Sequence, residues 1–464
     1  MGNQDDPVSR RKFLEQAGLV AGVIALGDAC SDDEGEPAEQ AGTGGDDAGS
    51  SAAGSGDAAG GAGRPAAGGG GGTAASPSGP AAGAGGVEAS GGVGGESAAG
   101  TGGAGGAAGA DEAGAGGEPA AGTGGTGGAA GGGAAAGKVV VAIVATSARP
   151  SLEEAVARAV ELAGGLGAIK PGQTVFIKPN AVSDRMVGTP GIRTSPEVLA
   201  AVVRLVKSLN PGRIIVGDRS ARQFPDAAGV FERSGLRQAA LDAGADEVYA
   251  PPSPVEAPDE WVLLQPPSYE GTWGQNGGLL AMKRIIEADH LINVPTVKNH
   301  RYALFSLSMK NFMGAIGDSS RDPVHFLSSG SSPFDPIGND IAVLNQMFSP
   351  LMNILDGTTA LINGGPQGDG SDAVRASPGL IFASGDRVAV DAAAVSLIQL
   401  ELATATVPEP DAANAILKRD PAWRLPQIVR AIEHGLGVGS ADMVQLAFEG
   451  VGNSADIEAR FRAV

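Results

Sequence analysis

Five apolar runs in this chain of 464 residues end in short polar clusters whose residue types could do chemistry. Ile177 is followed by Lys178-Pro179-Asn180, Val216 by Gly217-Asp218-Arg219-Ser220, and Val294 by Pro295 and then Lys298-Asn299-His300. Leu355 leads into Asp356-Gly357, and Phe382 leads through Ser384-Gly385 to Asp386 and Asp391. Turns favour Gly, Pro, Asn and Asp for backbone reasons, so each cluster taken singly reads as structure. Lys and His are not turn formers, and five such clusters in one chain point to a site. Lys178, Lys298 and Lys310 would bring up to three ammonium groups beside the backbone N–H groups of Gly-rich turns. That combination suits a carboxylate or phosphate, with Asn180 and Asn311 in the same anion-binding set. His300 and His325 could add general acid–base function near neutral pH, which puts Lys298, His300 and His325 in catalytic roles. With Asp218, Asp356 or Asp391 the histidines could instead complete a divalent-metal site of imidazole and carboxylate ligands.

Structural readings stand beside these. Lys310 and Asn311 could belong to the surface and cap of a helix. Asp386 and Asp391 flank the start of a helix, where a carboxylate contributes ~0.3–1 kcal/mol against the helix dipole. His290 and His434 read as structural. Several chemistries lack their motifs. Ser220 and Ser308 are outside any Gly-x-Ser-x-Gly elbow, no His-Glu-x-x-His is present, and neither a Walker loop nor a Gly-x-Gly-x-x-Gly following a strand occurs.

The elements that must position these residues alternate. Residues 139–145 form an apolar run suited to a strand buried on both faces, and 152–162 carry helical spacing behind Ser151, with Glu154 completing a capping box. Strands are predicted at 174–178, 213–217 and 247–250, with helices at 196–209, capped by Ser195, and at 231–243. After a Pro-rich interruption at 251–267, the expected order is strand 291–294, helix 306–316, a long loop at 317–338, helix 341–348 and strand 352–355. Strand 379–383 and helices 388–400 and 426–434 follow. Strict alternation argues for an α/β fold, a mostly parallel sheet with helices on both faces, and ligands in such sheets bind beyond the carboxyl ends of the strands.

The clusters, with Met309-Lys310-Asn311-Phe312-Met313-Gly314, Gly364-Gly365-Pro366-Gln367-Gly368 and Asp386-Arg387-Val388-Ala389-Val390-Asp391, resemble the ordered blocks of the domain of unknown function 362 family over about 140–400. The resemblance implies an α/β domain and no particular reaction. Many relatives carry cysteine-rich ferredoxin-type segments. This chain has one Cys, outside the domain, so no iron–sulfur cluster of four thiolates is expected. Where the usual relative has Lys-Thr-His, this chain has Lys298-Asn299-His300.

The first 137 residues read differently. Ser9-Arg10-Arg11-Lys12-Phe13-Leu14, followed by a short apolar run, resembles a twin-arginine export signal, a route known for folded proteins that often hold a cofactor. Cys30, after Leu26-Gly27-Asp28-Ala29, resembles a lipoprotein processing site, against a plain signal cleaved nearby. Residues 31–137, rich in Gly, Ala and Ser, have almost no apolar area to offset backbone ordering and are expected to form a disordered tether. The expected division is therefore signal 1–30, tether 31–137 and α/β domain 138–464. The net charge of −20 and the lack of a basic stripe exclude nucleic acid as an expected partner. The expected partners are the twin-arginine translocase during export, the membrane through a lipid anchor only, and a small anionic molecule. Two function classes survive: an exported, tethered enzyme acting on that anion, metal-assisted or not, and a tethered binding protein without catalysis. The export route favours the enzyme.

Overall fold

A computed structural model describes residues 137–464 except 186–187, 267–272, 274–276, 327–333 and 409–411. Arg10, Arg11, Cys30 and the stretch expected as a tether up to residue 136 lie outside the described residues.

The apolar runs form a central sheet because each is buried on both sides. In β1 (Val139–Ala145), Val141 and Ile143 point into one core and Ala142 and Val144 into another, the two-residue alternation of a strand. Along the sheet lie β2 (Thr174–Pro179), β3 (Arg213–Gly217), β4 (Glu247–Tyr249), β7 (His290–Val294), β10 (Met352–Asn363), β12 (Leu380–Ser384) and β13 (Val444–Glu449), in the order β13-β1-β12-β10-β7-β2-β3-β4. Every neighbouring pair is parallel except the two made by β12. Helices Leu152–Leu162, Pro196–Lys207 and Leu236–Asp242 contribute to one core, and Phe334–Asn345, Arg387–Thr404, Pro426–Glu433 and Ser454–Phe461 to the other. The result is a mixed α/β fold with a mostly parallel central sheet. No helix among the described residues is long and apolar enough to cross a membrane.

Several caps form as their sequences predict. Ser151 Oγ accepts the Glu154 N–H at 3.2 Å and Ser195 Oγ accepts the Val198 N–H at 3.2 Å. Other elements differ from expectation. The helix expected over 231–243 is two helices, Ala227–Arg233 and Leu236–Asp242, because Gly235 between them takes φ +78°, a left-handed conformation that ends a helical turn. The expected loop at 317–338 contains the helix Asp318–Phe326 and the start of Phe334–Asn345. The helix expected over 306–316 is a single α-turn, Ser308–Asn311, followed by a 3-10 turn, Phe312–Ala315. Within the Pro-rich interruption, β5 (Trp261–Leu264) pairs antiparallel with β6 (Leu279–Met282), apart from the main sheet. β10 does not stop at Asp356-Gly357 but runs through them to Asn363.

One difference positions the site. After β7 the chain passes Pro295 and continues as β8 (Thr296–His300), which pairs with the distal half of β10 and, antiparallel, with β9 (Leu304–Ser306). β11 (Val374–Ala376) pairs with the same end of β10. Lys298 and His300 therefore sit on a strand extending beyond the carboxyl end of β7.

Candidate functional site

The floor of the site is built where β2 and β3 end side by side. Lys178 is fully buried, and its Nζ donates to Asp218 Oδ1 at 2.6 Å and to the Pro179 carbonyl at 3.3 Å. The other Asp218 oxygen accepts the Ala181 N–H at 2.6 Å. Burial presses Lys178 below the usual lysine range and Asp218 above the usual carboxylate range, and their mutual attraction opposes both shifts. Gly314 closes over this pair. A methyl group there would overlap the Asp218 carboxylate and come within 3.0 Å of Lys178 Nζ, so no side chain fits.

Above the floor an amide network fixes the walls. Asn311 Nδ2 donates to Asn293 Oδ1 at 2.8 Å, and Asn311 Oδ1 accepts from Asn180 Nδ2 at 3.1 Å. Asn293 in turn donates to the Ser308 carbonyl at 2.9 Å and to Asn353 Oδ1 at 3.0 Å. Asn180 Oδ1 accepts from Lys298 Nζ at 3.1 Å, and Lys298 also donates to the Ile192 carbonyl at 2.6 Å. Buried amides satisfied on both ends are rigid supports, and here they hold an ammonium group with neutral oxygens.

Of these, Asn180, Asn311 and Lys298 line a cavity of about 670 Å³ together with Asp218, Arg219, Arg222, His300, Arg301, Tyr302, Lys310, Gly314, Arg321 and Asp369. The lining follows the carboxyl ends of β2, β3 and β10, with β8 extending beyond β7. Lys298 is lowered from 10.5 to about 7, first by burial and then by the charge of Lys310. Lys310 is likewise lowered to about 7, by burial and then by Arg321. Nδ1 of His300 accepts the Tyr302 N–H at 3.1 Å, which leaves Nε2 to carry the proton of the neutral ring. Arg219 and Arg321 both bind Asp318, Arg219 at 2.6 Å. Of the floor pair only Asp218 reaches the lining, and Lys178 lies behind it.

The three carboxylates expected as metal ligands are separated by the fold, each taken up by its own donors. Asp356 accepts the Ser195 N–H at 2.7 Å and both the N–H and hydroxyl of Thr358, and burial raises it. Asp391 accepts the N–H groups of Ser308 at 2.8 Å and Met309 at 3.1 Å, and burial pushes it up to about 7. Among the described residues no three His, Cys, Asp or Glu side chains are grouped as metal ligands. His325 falls on the helix Asp318–Phe326, and its side chain is outside the described residues. His290 lies 2.9 Å from Gln173 Oε1, and His434 contacts Asn339 and Gln346, in both cases away from the cavity. The sequence reading did not single out Arg222, Arg301, Tyr302 or Arg321. Arg301 and Tyr302 directly follow His300, and that adjacency was the available signal.

Fold and cavity define a class: a mixed α/β protein whose mostly parallel sheet carries a cation-lined pocket at its carboxyl edge. The model of the family described as Domain of unknown function (DUF362) matches residues 175–396, the segment from β2 into the helix Arg387–Thr404. The chain is 29% identical over 300 residues to a thylakoid-associated protein of Synechocystis sp., covering 60% of this chain and 84% of that one. Among solved structures it is similar to the lactate racemase apoprotein from Thermoanaerobacterium thermosaccharolyticum, at 14% identity and TM-score 0.36, over 69% of this chain and 86% of that chain. It is also similar to a crystallised protein from Thermotoga maritima, at 9% identity and TM-score 0.30, over 51% and 55% of the two chains.

Proposed function

We propose that this chain is a member of the domain of unknown function 362 family and an enzyme that acts on a small anionic molecule in the 670 Å³ cavity. In this reading Lys298 and Lys310 hold the anion and exchange protons with it, and His300 offers a further proton donor. The observation that carries the reading is the placement of Lys298, Lys310 and His300, all buried, on one cavity beside Arg222 and Arg301. A lysine that titrates near neutral pH can act as either acid or base, whereas an ordinary lysine is only a cation. Calorimetry with a panel of carboxylates and phosphates at pH 7 tests binding, and proton NMR in deuterium oxide tests proton transfer to the ligands that bind. Deuterium uptake or turnover that is lost in Lys298→Met and His300→Ala is the expected outcome. Binding with no exchange or turnover of any panel member would make the protein a receptor.

We further propose that the protein is exported through the twin-arginine route and anchored to the envelope by acylated Cys30, with residues 31–137 as the tether. Arg10-Arg11 ahead of Phe13-Leu14 and the single Cys after the apolar run support this. Arg10→Lys with Arg11→Lys should leave the protein in the cytoplasm, because the route reads the guanidinium pair. Cys30→Ser should be exported and soluble, and a Cys30→Ser form that still fractionates with membranes would overturn the anchor.

A further inference from the structure

We infer that the anion taken by this cavity carries two separated anionic groups, one seated on the buried lysines at its base and one held by the arginines at its mouth, an inference that rests on the proposed function of the same cavity. Apart from Arg219 and Arg321, which are buried and bound to Asp318, the cationic lining falls into two tiers. Lys298, Lys310 and His300 are 1%, 7% and 4% exposed, whereas Arg222 and Arg301 are exposed and Tyr302 is 55% exposed. All six residues line one space of about 670 Å³, far more than a lone carboxylate or phosphate fills.

The tiers are built from different parts of the chain. The base is fixed, since Lys298 Nζ is held by Asn180 Oδ1 and the Ile192 carbonyl. The mouth is carried on two loops, Arg222 beyond β3 and Arg301 beyond β8. Of the two carboxylates of the lining, Asp218 meets Lys178 and Asp369 meets Arg185, each at 2.6 Å, and the charge of Asp369 also reaches Arg301. Basic side chains outnumber these two carboxylates in the lining. Guanidinium groups offer a planar fork of donors that matches a carboxylate or phosphate, and Tyr302 gives an organic spacer an apolar face to lie against. A ligand with a single anionic group would use the base alone and gain nothing from the mouth arginines.

The test titrates the full chain at pH 7 with straight-chain dicarboxylates from succinate to suberate, each against the monocarboxylate of the same carbon number, by calorimetry. At least one dicarboxylate should bind tenfold or more tightly than its monocarboxylate partner. In the double variant Arg222→Gln with Arg301→Gln that advantage should fall below threefold, with an unchanged thermal midpoint reporting an intact fold. A matched series with a phosphonate at one end separates a phosphate-bearing ligand from a dicarboxylate. Equal affinity of both series at every length overturns the inference and leaves anion binding in place. A preference that survives the double variant overturns the assignment of the mouth, and binding of neither series overturns the anion-binding function as well.

Discussion

An ammonium group taken out of water loses hydration that only a nearby negative charge restores, so the pairing of each buried lysine decides its chemistry. Lys178 has the Asp218 carboxylate at 2.6 Å, whereas Lys298 has two neutral oxygens and Lys310 as a cationic neighbour. Lys298 and Lys310 consequently titrate at about 7 instead of 10.5. With folded values depressed, their contribution to stability is complete above the ordinary value of 10.5 and is lost as pH falls to about 7. Thermal midpoints of Lys298→Met relative to the parent should therefore shift in the variant's favour as pH is lowered from 10 to 7, and a pH-independent difference would contradict the depressed value. Read from the sequence, Lys178, Lys298 and Lys310 look equivalent, all being basic residues near apolar runs. Their separation into a locked ion pair and two neutral-range amines depends on Asp218, 40 positions from Lys178, and on Asn180, 118 positions from Lys298.

A helix begins with N–H groups that need acceptors, and the turn Ser308–Asn311, which carries Lys310 and Asn311, has no capping side chain from Leu307 before it. Asp391 supplies the acceptors from the helix Arg387–Thr404, taking the N–H groups of Ser308 and Met309. Asp391→Ala would leave both N–H groups buried and unpaired, at about 1–3 kcal/mol each. We expect a loss of about 2–5 kcal/mol in urea unfolding, with anion affinity falling because Lys310 is no longer held. Asp391→Asn, which keeps one acceptor oxygen, should cost less, and equal costs would count against the capping role. Elements set by near neighbours were legible. The Ser151 and Ser195 caps bond three residues along, and the strand runs at β1 to β3 announce themselves by apolar continuity. Elements set by distant partners were not. Thr296–His300 holds Lys, Asn and His, poor advertisements for a strand, yet it pairs with β10 and β9. The Ser- and Asp-rich stretch after Gly317 is helical where Asp318 meets Arg219, 99 positions away.

At the scale of the whole molecule, β13 forms one edge of the sheet. β13 lies along β1 in parallel register from Val139 opposite Val444 to Val144 opposite Glu449, and the helix Ser454–Phe461 follows it. Phe461 is fully buried, its ring centroid 5.3 Å from that of Trp423, whose Nε1 donates to the Phe461 carbonyl at 2.7 Å. Phe461→Ala should cost about 3–5 kcal/mol by loss of burial and the cavity left behind, measured as a lower urea midpoint at unchanged slope. A loss below 1 kcal/mol would mean that the C-terminal helix is not part of the cooperative unit. By itself the sequence determined the alternation of strands and helices, the helix caps and which residues bear ammonium and imidazole groups, because these depend on side-chain chemistry and on contacts a few positions away. Tertiary structure alone decided that β12 runs against its neighbours, that Asp356 and Asp391 serve backbone N–H groups, and that Arg222, Arg301 and Tyr302 ring the cavity. Burial strips water from a polar group and obliges it to find a partner, and in a parallel sheet that partner comes from another strand end, such as Asp218 for Lys178, 40 positions along the chain.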